Sequence, residues 1–296
     1  MEQASWKMET FYQIEGGIRM IDIYKIGHRN YIKDGVLVDK NSGAFEFRII
    51  REELHYVNCN KQVLIIINGK FVDDEEEFVQ EQLQHYDIRI FIASDIVALT
   101  DNKSIIDKCD ILLHQCPNNK IDSVSIEQHY SWIPELFYKY NENTQNHAKI
   151  DRLIFGGGVR DNEKLITSYL NSVPSTAFLK TDAVDNRLNY DEYMQQLAKH
   201  KYSLIVSRKA YSELNWVTAR YAEALAVNTL PICDSEYDNS NHFYSIKVYR
   251  DEDLKSVIDM LTDNGLYRLS ILRHMQNNMK NTCDNFKKLI LELVVK

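Results

Sequence analysis

"LIFGGGVRDNEK", residues 153–164, runs from an apolar stretch through three glycines into a charged segment. A strand that turns at glycine into a helix is the repeating unit of parallel α/β sheets. The glycines let the backbone approach an anion, and the N–H groups of a first helical turn point at it. Arg160 and Lys164 are spaced i, i+4, so both can lean over that helix end and neutralise a diphosphate. A tight strand-to-helix turn needs glycine in any case; the two cations favour phosphate binding over a purely structural turn. The spacing matches neither the dinucleotide fingerprint nor a P-loop.

Outward from this stretch, short apolar runs alternate with helical patterns in both directions. Strands are expected at 21–27, 62–68, 88–94 and 110–116, and again at 152–157, 175–180, 202–207, 229–233 and 246–250. Helical stretches are expected near 45–56, at 75–86 and over 253–294. The acidic run "DDEEE" at 73–77 suits the start of a helix through the macrodipole and carries no catalytic role. "YNENTQNHAK", 140–149, is polar without periodicity and reads as a linker. The expected fold is α/β: two doubly wound, Rossmann-like domains with a central cleft at their strand C-termini. Residues 1–148 form the first domain, 149–280 the second, and 281–296 a terminal helix packing back on the first. Residues 1–19 precede the first strand and are not placed; Met20 would suit as a start for this fold.

At 296 residues the chain is larger than a usual single core, consistent with two domains. No window approaches the length of an uncharged apolar membrane span, and the N-terminus lacks a signal-peptide core. The five cysteines, Cys59, Cys109, Cys116, Cys233 and Cys283, show no zinc spacing and suit reduced thiols in a cytoplasm. A monomer is the default state. The net charge of −8 opposes nonspecific nucleic-acid binding but leaves room for a local basic surface. Between Lys25 and Arg51 six basic residues, Arg29 and Lys33 among them, face three acidic ones. Its default is a solvated surface; its sharper reading is a polyanion face.

"VTARYAEALAVNTLPIC", 217–233, places Arg220 and Glu223 three apart in a helix rich in alanine. Isolated i, i+3 charges are commonly surface pairs worth a few tenths of a kcal/mol. Here the alanines imply close packing, where an unused charge would be costly. A glutamate near a helix start can accept both hydroxyls of a ribose, and arginine offers phosphate a planar fork. Two charge sets on crossovers of one domain point to a nucleoside-diphosphate site.

"IFGGGVR" and "YSLIVSRKAYSELNWVTARYAEALAVNTLPICDSEYD" resemble the C-terminal half of the phage DNA β-glucosyltransferases. These are GT-B enzymes that move a sugar from a UDP donor to hydroxymethylated pyrimidines in duplex DNA. The resemblance implies that Arg220 and Glu223 hold the donor's phosphate and ribose. It puts Arg160 and Lys164 on two phosphate-binding basic positions, the second a lysine where arginine is expected, and Gly157 and Gly158 in the turn before them. Tyr211 would line the donor site, and Leu188 would read uracil through its backbone. In the first half, "IDIYKIGHRN" resembles the opening strand and turn, and "RIFIASDIVALTD" the strand and loop carrying a general base. That implies Asp95 as the catalytic carboxylate, accepting a proton as the hydroxymethyl oxygen attacks the anomeric carbon. The alternative is an Asp that caps the following helix. Asp101 is the runner-up base. The chain is shorter than the family in its first domain and lacks a glycine after "FLK" (178–180).

The resemblance thus implies a UDP-sugar donor, UDP-glucose foremost, and double-stranded DNA with hydroxymethylated bases as acceptor. Arg29, Lys33 and His114 are the candidates for acceptor contact; His114 equally fits a satisfied core histidine. "DED" at 251–253 formally fits a metal motif but begins a helix, so no metal ligand is assigned. No nucleophile-elbow pattern supports a hydrolase. Two other functions remain open: transfer from a UDP-sugar to a cell-envelope glycan, and a sugar-nucleotide binder without activity.

Overall fold

A computed structural model describes residues 13–14, 17–18, 20–26, 32–33, 36–37, 61–71, 74–117, 121–130, 149–157, 162–173, 176–180, 188, 190–237, 243 and 245–295. The expected helix at 45–56 and all but the last residue of the 140–149 linker lie outside them. The chain divides into two units. The first is Met1–Gln115, Lys120–Ile133 and Asn285–Lys296; the second is Cys116–Asn119 and Pro134–Asp284.

The first unit is built on a parallel sheet in the order β3-β6-β7-β8-β9. Its strands are β3 (Met20–Lys25), β6 (Gln62–Ile67), β7 (Ile88–Ala93), β8 (Ile111–His114) and β9 (Glu127–Tyr130). Short antiparallel pairs, β1 (Gln13–Ile14) with β2 (Gly17–Ile18) and β4 (Ile32–Lys33) with β5 (Val36–Leu37), lie around β3 in the chain. The central strands are nearly continuous Ile, Leu and Val because both faces are covered. On one face Val63, Ile65, Ile67, Ile88, Ile90, Ile92, Ile111 and Leu113 pack with Phe286, Ile290, Leu293 and Val294. The last four are spaced as one stripe of a helix. On the other face Leu64, Ile66, Phe91 and Leu112 are equally buried.

The second unit holds the sheet β11-β10-β12-β13-β14, parallel throughout. Its strands are β10 (Ile150–Gly157), β11 (Ala177–Lys180), β12 (His200–Ile205), β13 (Leu230–Asp234) and β14 (Ile246–Val248). The chain leaves β10 towards the β11 edge and returns on the other side as β12. That reversal is the topological switch point, beside which open α/β sheets bind ligands. Among the described strands of the first sheet, the order follows the chain without a reversal.

The C-terminal helical stretch is two helices, Asp251–Asp263 and Gly265–Val295. Asn264, at φ −117 and ψ 68, leaves the helical region and separates them. "DED" fills the first turn of the former, where Arg250 pairs with Glu252 and Asp253 and Ser168 donates to Asp251. Among the described residues no helix is long and apolar enough to cross a membrane.

Lys149 fastens the base of the second sheet. Its Nζ lies 2.7 Å from the carbonyls of both Ala198 and Val227, 3.2 Å from that of His200, and 3.1 Å from Thr229 Oγ1. Two of these carbonyls belong to helix C-termini, where a cation is favourable. Burial, and behind it the charge of Arg268, pulls the amine down to about 7, while the oxygens around it favour the ammonium. Lys149→Met is expected to cost about 2–4 kcal/mol, because buried carbonyls lose their donor. Urea unfolding of the two proteins would measure the difference.

Candidate functional site

The switch point is where the charged residues gather. β10 ends at Gly157, and the helix Arg220–Ala226 begins with its guanidinium against that end. A Cβ placed on Gly157 would lie 3.4 Å from both Cζ and Nη1 of Arg220. On Gly156 it would meet the ring of Tyr193 at 2.6 Å, a distance side chains do not tolerate. Gly156 is therefore required by its neighbour, whose aromatic ring takes the space of a side chain, while Gly157 lies in contact with the Arg220 guanidinium and the Phe155 ring.

Tyr193 comes from the helix Tyr190–Ala198, whose Met194, Leu197 and Ala198 are buried. Its hydroxyl donates to Glu223 Oε2 at 3.2 Å, and Arg220 hydrogen-bonds the same phenol. Burial, then the Glu223 charge, push the phenol well above its ordinary range, so it stays a neutral donor. Burial alone would lower Arg220, but the Glu223 charge and the hydrogen bond to Tyr193 outweigh it and hold the guanidinium charged. Glu223 is 8% exposed, which decides between a surface pair and an inward-facing one: the pair is inward-facing. Tyr211, half-buried on the helix Lys209–Glu213, is near enough to raise Arg220 further, and Arg208 lies over its ring.

The Arg220 helix has only two turns and needs strong ends. Ala222, Ala224 and Ala226 are buried, which answers why small residues surround the charges. At its C-terminus Asn228 takes φ 58, Thr229 N–H donates to Ala224 O and Asn228 N–H to Leu225 O, a Schellman closure. Gln276 Nε2 seals it, donating to Leu225 O and Asn228 Oδ1. Just before the helix, Thr218 Oγ1 is buried and finds no partner among the described residues.

Asp234 closes β13 as a buried carboxylate. It accepts from the backbone N–H groups of Ser207, Glu236 and Tyr237. Burial nevertheless raises it to about 6 against its ordinary 3.8. A folded acid that keeps its proton to higher pH gains stability from that proton. The gain is complete below about pH 4 and is lost as pH rises through about 6. Asp234→Asn removes the titration. The parent's stability relative to the variant is expected to fall by about 2 kcal/mol between pH 4 and pH 7. Denaturant midpoints across that range test it.

Of the remaining donor-side candidates, Lys164 is exposed in the first turn of the helix Glu163–Ser172. That helix starts against the chain leaving β12, because Asn162 Nδ2 donates to the carbonyl of Ser207. Leu188 is 37% exposed. Gly158 and Arg160 lie outside the described residues. Arg220, Glu223, Tyr211 and Gly157 are thus brought together. Tyr193, which no sequence motif marks, joins them.

In the first unit, Asp95 stands exposed two residues past β7. Its Oδ1 accepts from Val97 N–H at 3.1 Å, and its carbonyl from Ala98 N–H. The preceding residue is fixed through Asn68 Oδ1, which accepts from both the N–H and the hydroxyl of Ser94. Asp101 ends the short helix Ala98–Asp101 and is exposed. His114 is 2% exposed and held neutral at about 4 by burial first and the nearby His129 second, so contact with an acceptor would require the end of β8 to open. Lys33 lies on β4, pairing with Val36; Arg29 lies outside the described residues. Among the described residues no group of acidic, His or Cys side chains could hold a metal ion.

The architecture is that of the GT-B glycosyltransferases. A solved structure of the trehalose-6-phosphate synthase OtsA aligns with a TM-score of 0.50 at 10% identity, over 78% of this chain and 72% of that one. An apo OtsA structure aligns at 0.50 and 10% identity, over 84% and 77%. A UDP-forming alpha,alpha-trehalose-phosphate synthase from Burkholderia xenovorans aligns at 0.48 and 9% identity, over 79% and 73%. At such identities the likeness is one of fold. No protein-family model matches the chain, and no curated protein matches it in sequence. The resemblance to the DNA glucosyltransferases is therefore one of short motifs.

Proposed function

We propose that this protein is a UDP-sugar-dependent glycosyltransferase whose second unit binds the donor. UDP-glucose is the leading donor, and a hydroxymethylated pyrimidine in duplex DNA the leading acceptor. The observation that carries the donor reading is the inward-facing Arg220–Glu223 pair, set beside Gly157 at the switch point of a GT-B sheet. The unpartnered Thr218 hydroxyl two residues before Arg220 supports a ligand there. The acceptor reading rests on the sequence resemblance, which extends to "RIFIASDIVALTD" around Asp95.

In this reading the hydroxymethyl oxygen attacks the anomeric carbon and its proton passes to the Asp95 carboxylate. The bond from that carbon to the diphosphate breaks, and UDP departs with the electron pair. Arg220, with Arg160 and Lys164, neutralises the charge that develops on the leaving oxygens. Glu223 accepts hydrogen bonds from the ribose hydroxyls, and Tyr211 and the backbone of Leu188 complete the nucleoside contacts. Arg29 and Lys33 are the proposed acceptor contacts, joined by His114 only on opening of the end of β8, with the base extruded from the stack to reach Asp95.

Incubation with UDP-glucose and hydroxymethylated DNA, followed by digestion to nucleosides, should yield a nucleoside heavier by one hexose. If UDP binds in calorimetry while that product never forms, the DNA acceptor falls and the donor site stands. Failure of UDP to bind overturns both.

A further inference from the structure

Tyr193 is the residue at this site whose placement the reaction itself does not explain. Its ring occupies the space a side chain on Gly156 would need, with Cε2 2.6 Å from that position. Its hydroxyl donates to Glu223 Oε2 at 3.2 Å and receives a hydrogen bond from Arg220. The tyrosine thus stands between the two charged residues and ties both to the end of β10. A glutamate on a two-turn helix has rotamer freedom that must be lost before it can accept two ribose hydroxyls at once. A neutral donor fixed on one carboxylate oxygen removes that freedom before the ligand arrives, and leaves lone pairs on both oxygens available.

We propose that Tyr193 is a positioning residue of the donor site: docked on Gly156, it orients the Glu223 carboxylate for the ribose and so sets the preference for a ribonucleoside diphosphate over its 2′-deoxy form. This rests on the donor reading above. A general packing role would weaken every ligand alike, whereas positioning of Glu223 weakens a ligand that brings both hydroxyls more than one that keeps the 3′-hydroxyl alone.

The test is calorimetry of the full chain with UDP and 2′-deoxy-UDP. The parent is expected to prefer UDP. Tyr193→Phe keeps the ring against Gly156 and removes only the hydroxyl; it should weaken UDP about tenfold, the size of one hydrogen bond to a charged group, and 2′-deoxy-UDP, which keeps only the 3′-hydroxyl, less than about threefold. Gly156→Ala, which forces the ring away, should give the same selective loss. Equal weakening of both ligands, or of neither, in a Tyr193→Phe protein that melts like the parent overturns the proposal and leaves the donor site standing. Absence of UDP binding by the parent overturns the donor reading and this proposal with it.

Discussion

Replacing Arg220 by alanine is expected to lower turnover at saturating UDP-glucose by about 100- to 1,000-fold, the usual effect of removing one preorganised group from a site of developing charge. The effect belongs in turnover more than in donor affinity, because the leaving diphosphate gains charge as the sugar bond breaks. The variant also leaves Glu223 buried beside a phenol without its cation, so a lowered melting temperature should accompany the loss. Arg220→Lys separates the two effects. It restores a charge near Glu223 but not the planar fork, so the fold should recover further than the rate. Turnover unchanged in Arg220→Ala would remove the residue from the chemistry.

Asp95→Asn is expected to lower turnover by about 100- to 10,000-fold with UDP affinity unchanged, since a general base acts on the acceptor and not on the nucleotide. Asn keeps a side-chain oxygen for the N–H of Val97, so the turn leading into Ala98–Asp101 survives. If the carboxylate serves only that turn, the variant will transfer sugar as the parent does.

The strands with long apolar runs were readable from the chain alone. "QVLIII", "IRIFIA" and "ILLH" are buried on both faces, so every position is constrained and the run is continuous. β9, "EQHY", closes the same sheet but carries no sequence signal, because an edge strand with exposed and half-buried residues leaves no apolar pattern. Arg220 and Glu223 stood out since charge among alanines is locally anomalous. Tyr193 did not, because "NYDEYMQQLAKH" is an ordinary amphipathic helix whose tyrosine acquires meaning only on docking against Gly156. In the sequence Lys149 is the last residue of a polar stretch without periodicity. Its donors in fact meet oxygens contributed from Ala198, His200, Val227 and Thr229, residues remote in the chain that no local window joins. At Asp95 the structure shows the turn contact, Oδ1 with the N–H of Val97, while the role of general base is the proposal that Asp95→Asn tests.

The helix Gly265–Val295 contributes its last residues, from Asn285 onward, to the first unit. Cutting the chain after residue 148 would therefore not release that unit intact: β6, β7 and β8 would lose Phe286, Ile290, Leu293 and Val294 and present a bare isoleucine surface to water. Laboratory dissection of this protein into halves would have to graft residues 285–295 back onto the amino-terminal piece, and a frameshift before Asn285 would damage a sheet encoded far upstream.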